Sequence, residues 1–144
     1  PLAANVAREI AASNRLHQAF LACGVEAARQ ARDVQPEIMI CNMDRQAQTA
    51  QYVDETIAGG ANFIQLLRMS SAKAPLVGRL RLADIRVNYC CTDDPALLQQ
   101  LWNWGVQFPI VHSVAEAMET AHRAGIAPLE PIYRDNSPDR YDSP

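Results

Sequence analysis

Two stretches of the chain carry the decision about its fold: Arg86-Val87-Asn88-Tyr89-Cys90-Cys91-Thr92-Asp93-Asp94-Pro95 and, after a helical interval, Gly105-Val106-Gln107-Phe108-Pro109-Ile110-Val111-His112. The first predicts a strand over Val87–Thr92 followed at once by a helix start. Asp93 or Asp94 can accept a first-turn amide, and Pro95 loses nothing at a position whose N–H would be unpaired. Leu97, Leu98, Leu101 and Trp102 give that helix one apolar face, and Gly105 stands where a left-handed residue closes it. A second strand is expected over Phe108–His112. Strand, helix and strand at this spacing make a βαβ unit, whose strands are parallel.

The same pattern extends in both directions. Apolar, partly β-branched segments recur at Leu16–Ala22, Ile38–Met43 and Phe63–Arg68, so that the midpoints of all five lie roughly 21 to 25 residues apart. Between them the chain is rich in Ala, Leu, Gln, Arg and Glu, with apolar residues three and four apart. Helices are expected over Ala3–Ser13, over Val25–Val34 with Pro36 at its exit, and from near Ala47 to Gly59-Gly60. A last helix over Val114–Ala124 has Ser113 and Glu116 spaced as a capping box and Gly125 after its end. The fold class is α/β, built of five parallel βα units over residues 1–126. Residues 127–144, broken by Pro128, Pro131, Pro138 and Pro144, are expected to be a tail.

Five such units suit two architectures: an open, flavodoxin-like sheet complete in itself, or the second half of an eight-unit barrel, which takes about 250 residues. The chain has 144 residues and begins at Pro1 with a helix, in the middle of a βα pattern, as a piece cut from a longer chain would. A barrel predicts the strand order 1-2-3-4-5, and a flavodoxin-like sheet 2-1-3-4-5.

Composition narrows the partners. With 49% apolar and 20% charged residues the chain can bury a core, and no apolar run is long enough to span a membrane. The net charge is −3, with twelve arginines, one lysine (Lys73) and no basic run, which argues against nucleic acid. Cys23, Cys41, Cys90 and Cys91 lie in or beside apolar runs without the spacing of a zinc site. They are expected to be free thiols, since neighbouring Cys90 and Cys91 bridge only with difficulty, and reduced thiols suggest a cytoplasmic setting. No glycine-rich phosphate loop is present. Trp102 and Trp104 read as packing residues, as no basic groove accompanies them.

Polar residues inside the apolar strands, Asn42, Gln65 and Asn88, are the candidates to face a barrel lumen; the other reading is that they bond their packed neighbours. His112 is expected at the C-terminal end of the last strand, the rim where such folds keep their chemistry, though no partner carboxylate is identifiable for it in sequence. His17 is expected at a strand start on the opposite rim, and His122 late in a helix. The Asp93-Asp94 pair could hold Mg²⁺, but helix capping accounts for at least one of the two.

Read together, Val87–His112 resembles the end of a glycerophosphodiester phosphodiesterase barrel. There the penultimate strand resembles V-N-V-W-T-V-N-D-P and is followed by a helix, G-V-D-G-I and a strand ending in T-D. The resemblance implies hydrolysis of a glycerophosphodiester to an alcohol and glycerol 3-phosphate. A divalent cation, Mg²⁺ or Ca²⁺, polarises the phosphoryl group while two histidines move protons. The family takes its catalytic groups from an H-R-G segment, an E-x-D pair and later positions of the first half, none of which this sequence contains. The resemblance therefore implies no catalytic or metal residue in this chain. It implies a substrate wall, with Cys90 in the place of the family's tryptophan, Asp93 in that of its asparagine and His112 in that of its terminal aspartate. Asn42 and Gln65 complete the substrate-facing set. Two further readings stand beside it: a non-catalytic binding or regulatory domain, and a structural half-barrel that associates through open sheet edges.

Overall fold

The computed structural model describes residues 1–44, 49–67 and 74–127. Along the chain run α1 (Leu2–Ala12), β1 (Phe20–Cys23), α2 (Val25–Val34), β2 (Met39–Asn42), α3 (Thr49–Ala58), β3 (Phe63–Leu67), α4 (Ala74–Leu82), β4 (Arg86–Cys90), α5 (Pro95–Asn103), β5 (Phe108–Ile110) and α6 (Val114–Arg123). The strands form one sheet in the order β1-β2-β3-β4-β5, every pair parallel. This is the order of a barrel segment and not that of a flavodoxin-like sheet. The expected tail from 128 onward lies outside the described residues.

Alternation along the strands separates two faces. Ile64, Leu66, Val87 and Tyr89 are buried against the helices, where Tyr52, Val53, Val77, Leu80 and Leu101 meet them, and Ile40 is buried on the same face in a second cluster. Each such side chain contributes about 1.5–3 kcal/mol on burial. A second apolar cluster, with Ala7, Ala31 and Ile38 at its centre, packs α1 and α2 onto β1 and β2. The opposite face carries Phe20, Cys41, Phe63, Gln65, Arg86 and Phe108 and bounds an open concavity of about 480 Å³.

The register gives this concave face its curvature. Ala22 pairs through Cys41 with Phe63, and Gln65 through Asn88 with Phe108. Phe63 thus stands two residues further along the strands than Phe20, and Phe108 two further again. One residue of stagger per strand is the shear of an eight-stranded barrel, whose inner layers draw side chains from alternate strands. Phe20, Phe63 and Phe108, from β1, β3 and β5, form such a layer, with ring centroids 4.8 and 6.4 Å apart and the Arg86 guanidinium 5.3 Å over Phe63.

Where the β2–β3 ladder ends, a side chain continues it. The Tyr52 hydroxyl, buried on α3, shares its one proton between the carbonyls of Asn42 and Gln65 (3.0 Å to the latter) and accepts from the Gln65 amide at 3.3 Å. Arg32 on α2 ties the start of the next unit, donating to the carbonyls of Gly59 (2.9 Å) and Gly60 (2.8 Å).

Most element limits agree with the sequence; the exceptions have local causes. The strand expected over 16–22 begins only at Phe20, because Leu16 packs onto the α1–α2 cluster from a turn in which the Gln18 amide donates to the Arg15 carbonyl. His17 consequently lies in that turn and not at a strand start. The strand expected to reach His112 ends at Ile110, where the next amides turn to a carboxylate. Ser113 makes no side-chain cap to α6, so the capping box does not form. Asp94 does cap α5, its Oδ1 accepting the Ala96 amide at 2.9 Å, and Gly105 closes that helix at φ +90°.

Candidate functional site

The C-terminal ends of the strands form one rim, and there β4 and β5 deliver Asp93 and His112 to each other. Parallel pairing sets Cys90 beside Ile110, so the two loops that follow run side by side. Asp93 Oδ1 accepts the amides of His112 at 2.7 Å and Ser113 at 3.0 Å, and Asp93 Oδ2 lies 3.1 Å from His112 Nδ1. The Ser113 amide first, then that of His112, hold the Asp93 carboxyl below the ordinary carboxylate range. The ionised carboxylate accepts hydrogen bonds only, so it fixes the proton of neutral His112 on Nδ1.

A second carboxylate does the same at the other end of the sheet. Asp44, two residues beyond β2, accepts the Val25 amide at the start of α2 at 2.6 Å, while its own amide donates to Asn42 Oδ1 at 3.0 Å. Gly24 permits this approach: a Cβ there would lie 2.5 Å from Asp44 Oδ1. With Asp94 at α5, three helix starts of the rim are served by the chain's own carboxylates. A helix N-terminus can hold an anion; at α6 the Asp93 carboxylate fills that place.

The remaining expected residues divide between the two faces. Gln65 lines the concavity, as does Asn88, whose Oδ1 is buried with no hydrogen-bond partner among the described residues. Cys90 pairs with inward-facing Ile110 and Leu67 at the rim. Asn42 does not face the lumen. It is buried on the helix side, with Nδ2 donating to Thr56 Oγ1 at 2.8 Å, because Cys41 takes the inward position of that strand. The structure therefore gathers Cys90, Asp93 and His112 at one corner of the rim, leaves Gln65 deeper, and assigns Asn42 to packing.

The cysteines correct the free-thiol expectation in part. Cys23 and Cys41 are free, whereas a disulfide joins Cys90 and Cys91, whose Cα atoms lie 3.1 Å apart across a cis peptide bond. Burial pushes the Cys41 thiol up to about 11 and raises that of Cys23, so both stay protonated near neutrality and are poor nucleophiles.

The divalent cation implied by the family resemblance does not suit the residues present. Among the described residues no group of three or more His, Cys, Asp or Glu side chains converges. The carboxylates of Asp44, Asp93 and Asp94 are each already committed to backbone amides. Sequence reading missed Asp44, Gly24 and Tyr52; a carboxylate just past a strand's C-terminal end, shared by Asp44 and Asp93, was the available signal for the first. Among the described residues no helix is long and apolar enough to cross a membrane.

No protein-family model matches the chain, and no curated protein sequence does. Among solved structures it is similar to the crystal structure of a candidate glycerophosphoryl diester phosphodiesterase from Silicibacter pomeroyi DSS-3. The TM-score is 0.72 at 10% sequence identity, over 87% of this chain and 45% of that one. The chain thus spans about half the length of that protein and shares the fold of the half it covers.

Proposed function

We propose that this chain forms part of the substrate wall of a glycerophosphodiester phosphodiesterase-like barrel, with the metal-binding and principal catalytic segments lying outside it. The observation that carries the reading is the superposition on the Silicibacter pomeroyi protein, together with the stagger of Phe20, Phe63 and Phe108. In this reading Cys90, Asp93 and His112 border the alcohol or glycerol portion of the diester. The phosphoryl group lies away from α6, because Asp93 already occupies the amides there and would repel it.

The test is a titration of ¹⁵N-labelled full-length chain with glycerophosphocholine, followed by amide chemical shifts. Perturbations confined to residues 88–94 and 108–114 support the reading. Their absence, or their appearance only on the helix side, overturns it.

A further inference from the structure

We propose that His112, positioned by Asp93, is a proton-transfer group for hydrolysis of an ester bound at the C-terminal rim. The inference rests on the reading above for placing an ester at this corner, while its chemistry rests on the pair's own geometry. Asp93 Oδ1 is pinned by two amides, at 2.7 and 3.0 Å, which fixes the plane of the carboxylate and aims Oδ2 at Nδ1 of the imidazole, 3.1 Å away. A neutral imidazole with its proton on Nδ1 has its lone pair on Nε2, the far side of the ring from Asp93. The His112 side chain is 78% exposed, so that lone pair is open to an incoming hydroxyl. An orienting carboxylate, a tautomer fixed by it and an outward Nε2 are the parts that proton-transfer histidines require.

The step balances among the pair, the substrate and water. Nε2 takes the proton of a water molecule as the water oxygen bonds to the phosphorus or carbonyl carbon of the ester. The imidazolium so formed carries N–H groups on both nitrogens, and Asp93 faces its charge. At a carbonyl ester the Nε2 proton then passes to the departing alcohol oxygen as the tetrahedral intermediate breaks. At phosphorus the leaving oxygen departs opposite the water, so it takes its proton from solvent and Nε2 gives its own to solvent. In either case neutral His112 returns. Besides Asp93, the ionisable groups on the flanking loop and helix are Asp94, which caps α5, Glu116 in the first turn of α6, and Glu119, His122 and Arg123 further along it.

Two measurements on the full-length chain decide the matter. Long-range ¹H–¹⁵N spectra read the tautomer: His112 is expected with Nδ1 protonated, and Asp93→Asn should shift it toward the Nε2-protonated form. Hydrolysis of 4-nitrophenyl acetate reads the proton acceptor, because 4-nitrophenolate leaves without needing a proton. His112→Asn, and His112→Gln as a second variant at this exposed site, should lower the chain-promoted rate about tenfold. His17→Asn and His122→Asn should leave it near wild type, and the wild-type rate should fall in D₂O. An Nε2-protonated His112, equal losses in all three histidine variants, or no rate above buffer in the wild type would each overturn the proposal. Failure of the glycerophosphocholine titration alone would leave this chemistry standing and remove only the identity of the ester.

Discussion

Asp93 and His112, nineteen residues apart in sequence, meet twice: backbone amide to Oδ1 at 2.7 Å and imidazole Nδ1 to Oδ2 at 3.1 Å. One carboxylate therefore both ends β5 and orients the ring that follows it. Its pKa direction sets a pH dependence. A carboxyl depressed in the folded state contributes stability above its unfolded pKa and loses it as pH falls through the folded value. The β5–α6 junction should loosen on acidification below the ordinary carboxylate range. Amide exchange at His112 and Ser113 measures this, and Asp93→Ala should show the fast exchange at every pH.

Replacing Tyr52 by Phe removes the hydroxyl that joins the ends of β2 and β3, and with it the hydrogen bond to the buried Asn42 carbonyl. A loss of about 1–3 kcal/mol is expected. Urea unfolding checks it: the midpoint should fall with an unchanged slope, and a midpoint equal to wild type would remove Tyr52 from the account of the sheet.

The chain alone should release no glycerol 3-phosphate from glycerophosphocholine with Mg²⁺, Ca²⁺ or Mn²⁺ added. Expelling an unactivated alcohol from a phosphodiester needs a charge clamp on the phosphoryl oxygens, which a lone Asp–His pair does not supply. Coupled enzymatic detection of glycerol 3-phosphate provides the measurement; turnover abolished by chelator would contradict the expectation.

Self-association is expected of the isolated chain. Among the described residues β1 and β5 are the edge strands of the parallel sheet, and Phe20, Phe108 and Ile110 on their inner face are 47%, 38% and 41% exposed. Neither strand carries a lysine, and only Pro109 withholds an edge amide. Light scattering after size exclusion should show mass rising with concentration, and Phe20→Lys with Phe108→Lys should reduce the rise. A sharp monomer at every dilution would refute it.

How far the sequence is legible depends on the kind of evidence each residue needs. Parallel βα units followed from the regular alternation of apolar segments with capped helices. That pattern suits the orders 1-2-3-4-5 and 2-1-3-4-5 equally, and only the resemblance of Val87–His112 to a barrel's end favoured the first. The orientation of Asn42 did not follow: Ile40, Cys41 and Asn42 are all buried, so alternation offered no parity to choose between faces. Leu16 misled in the same way, since apolarity marks burial and not conformation. The Asp93–His112 pair was named residue by residue but not as a pair. Its bonds depend on the path of two loops whose residues lie far apart in sequence, which no local pattern encodes.

The nearest-neighbour order of the sheet has a kinetic consequence. Each strand pairs with the one just before it in the chain, so closing any ladder brings together segments only one βα unit apart. The loop entropy of each step is small, and contact order stays low for a parallel sheet. On the ribosome every strand after β1 emerges to find its partner already made, so the structure can grow vectorially, unit upon unit, in the direction of synthesis.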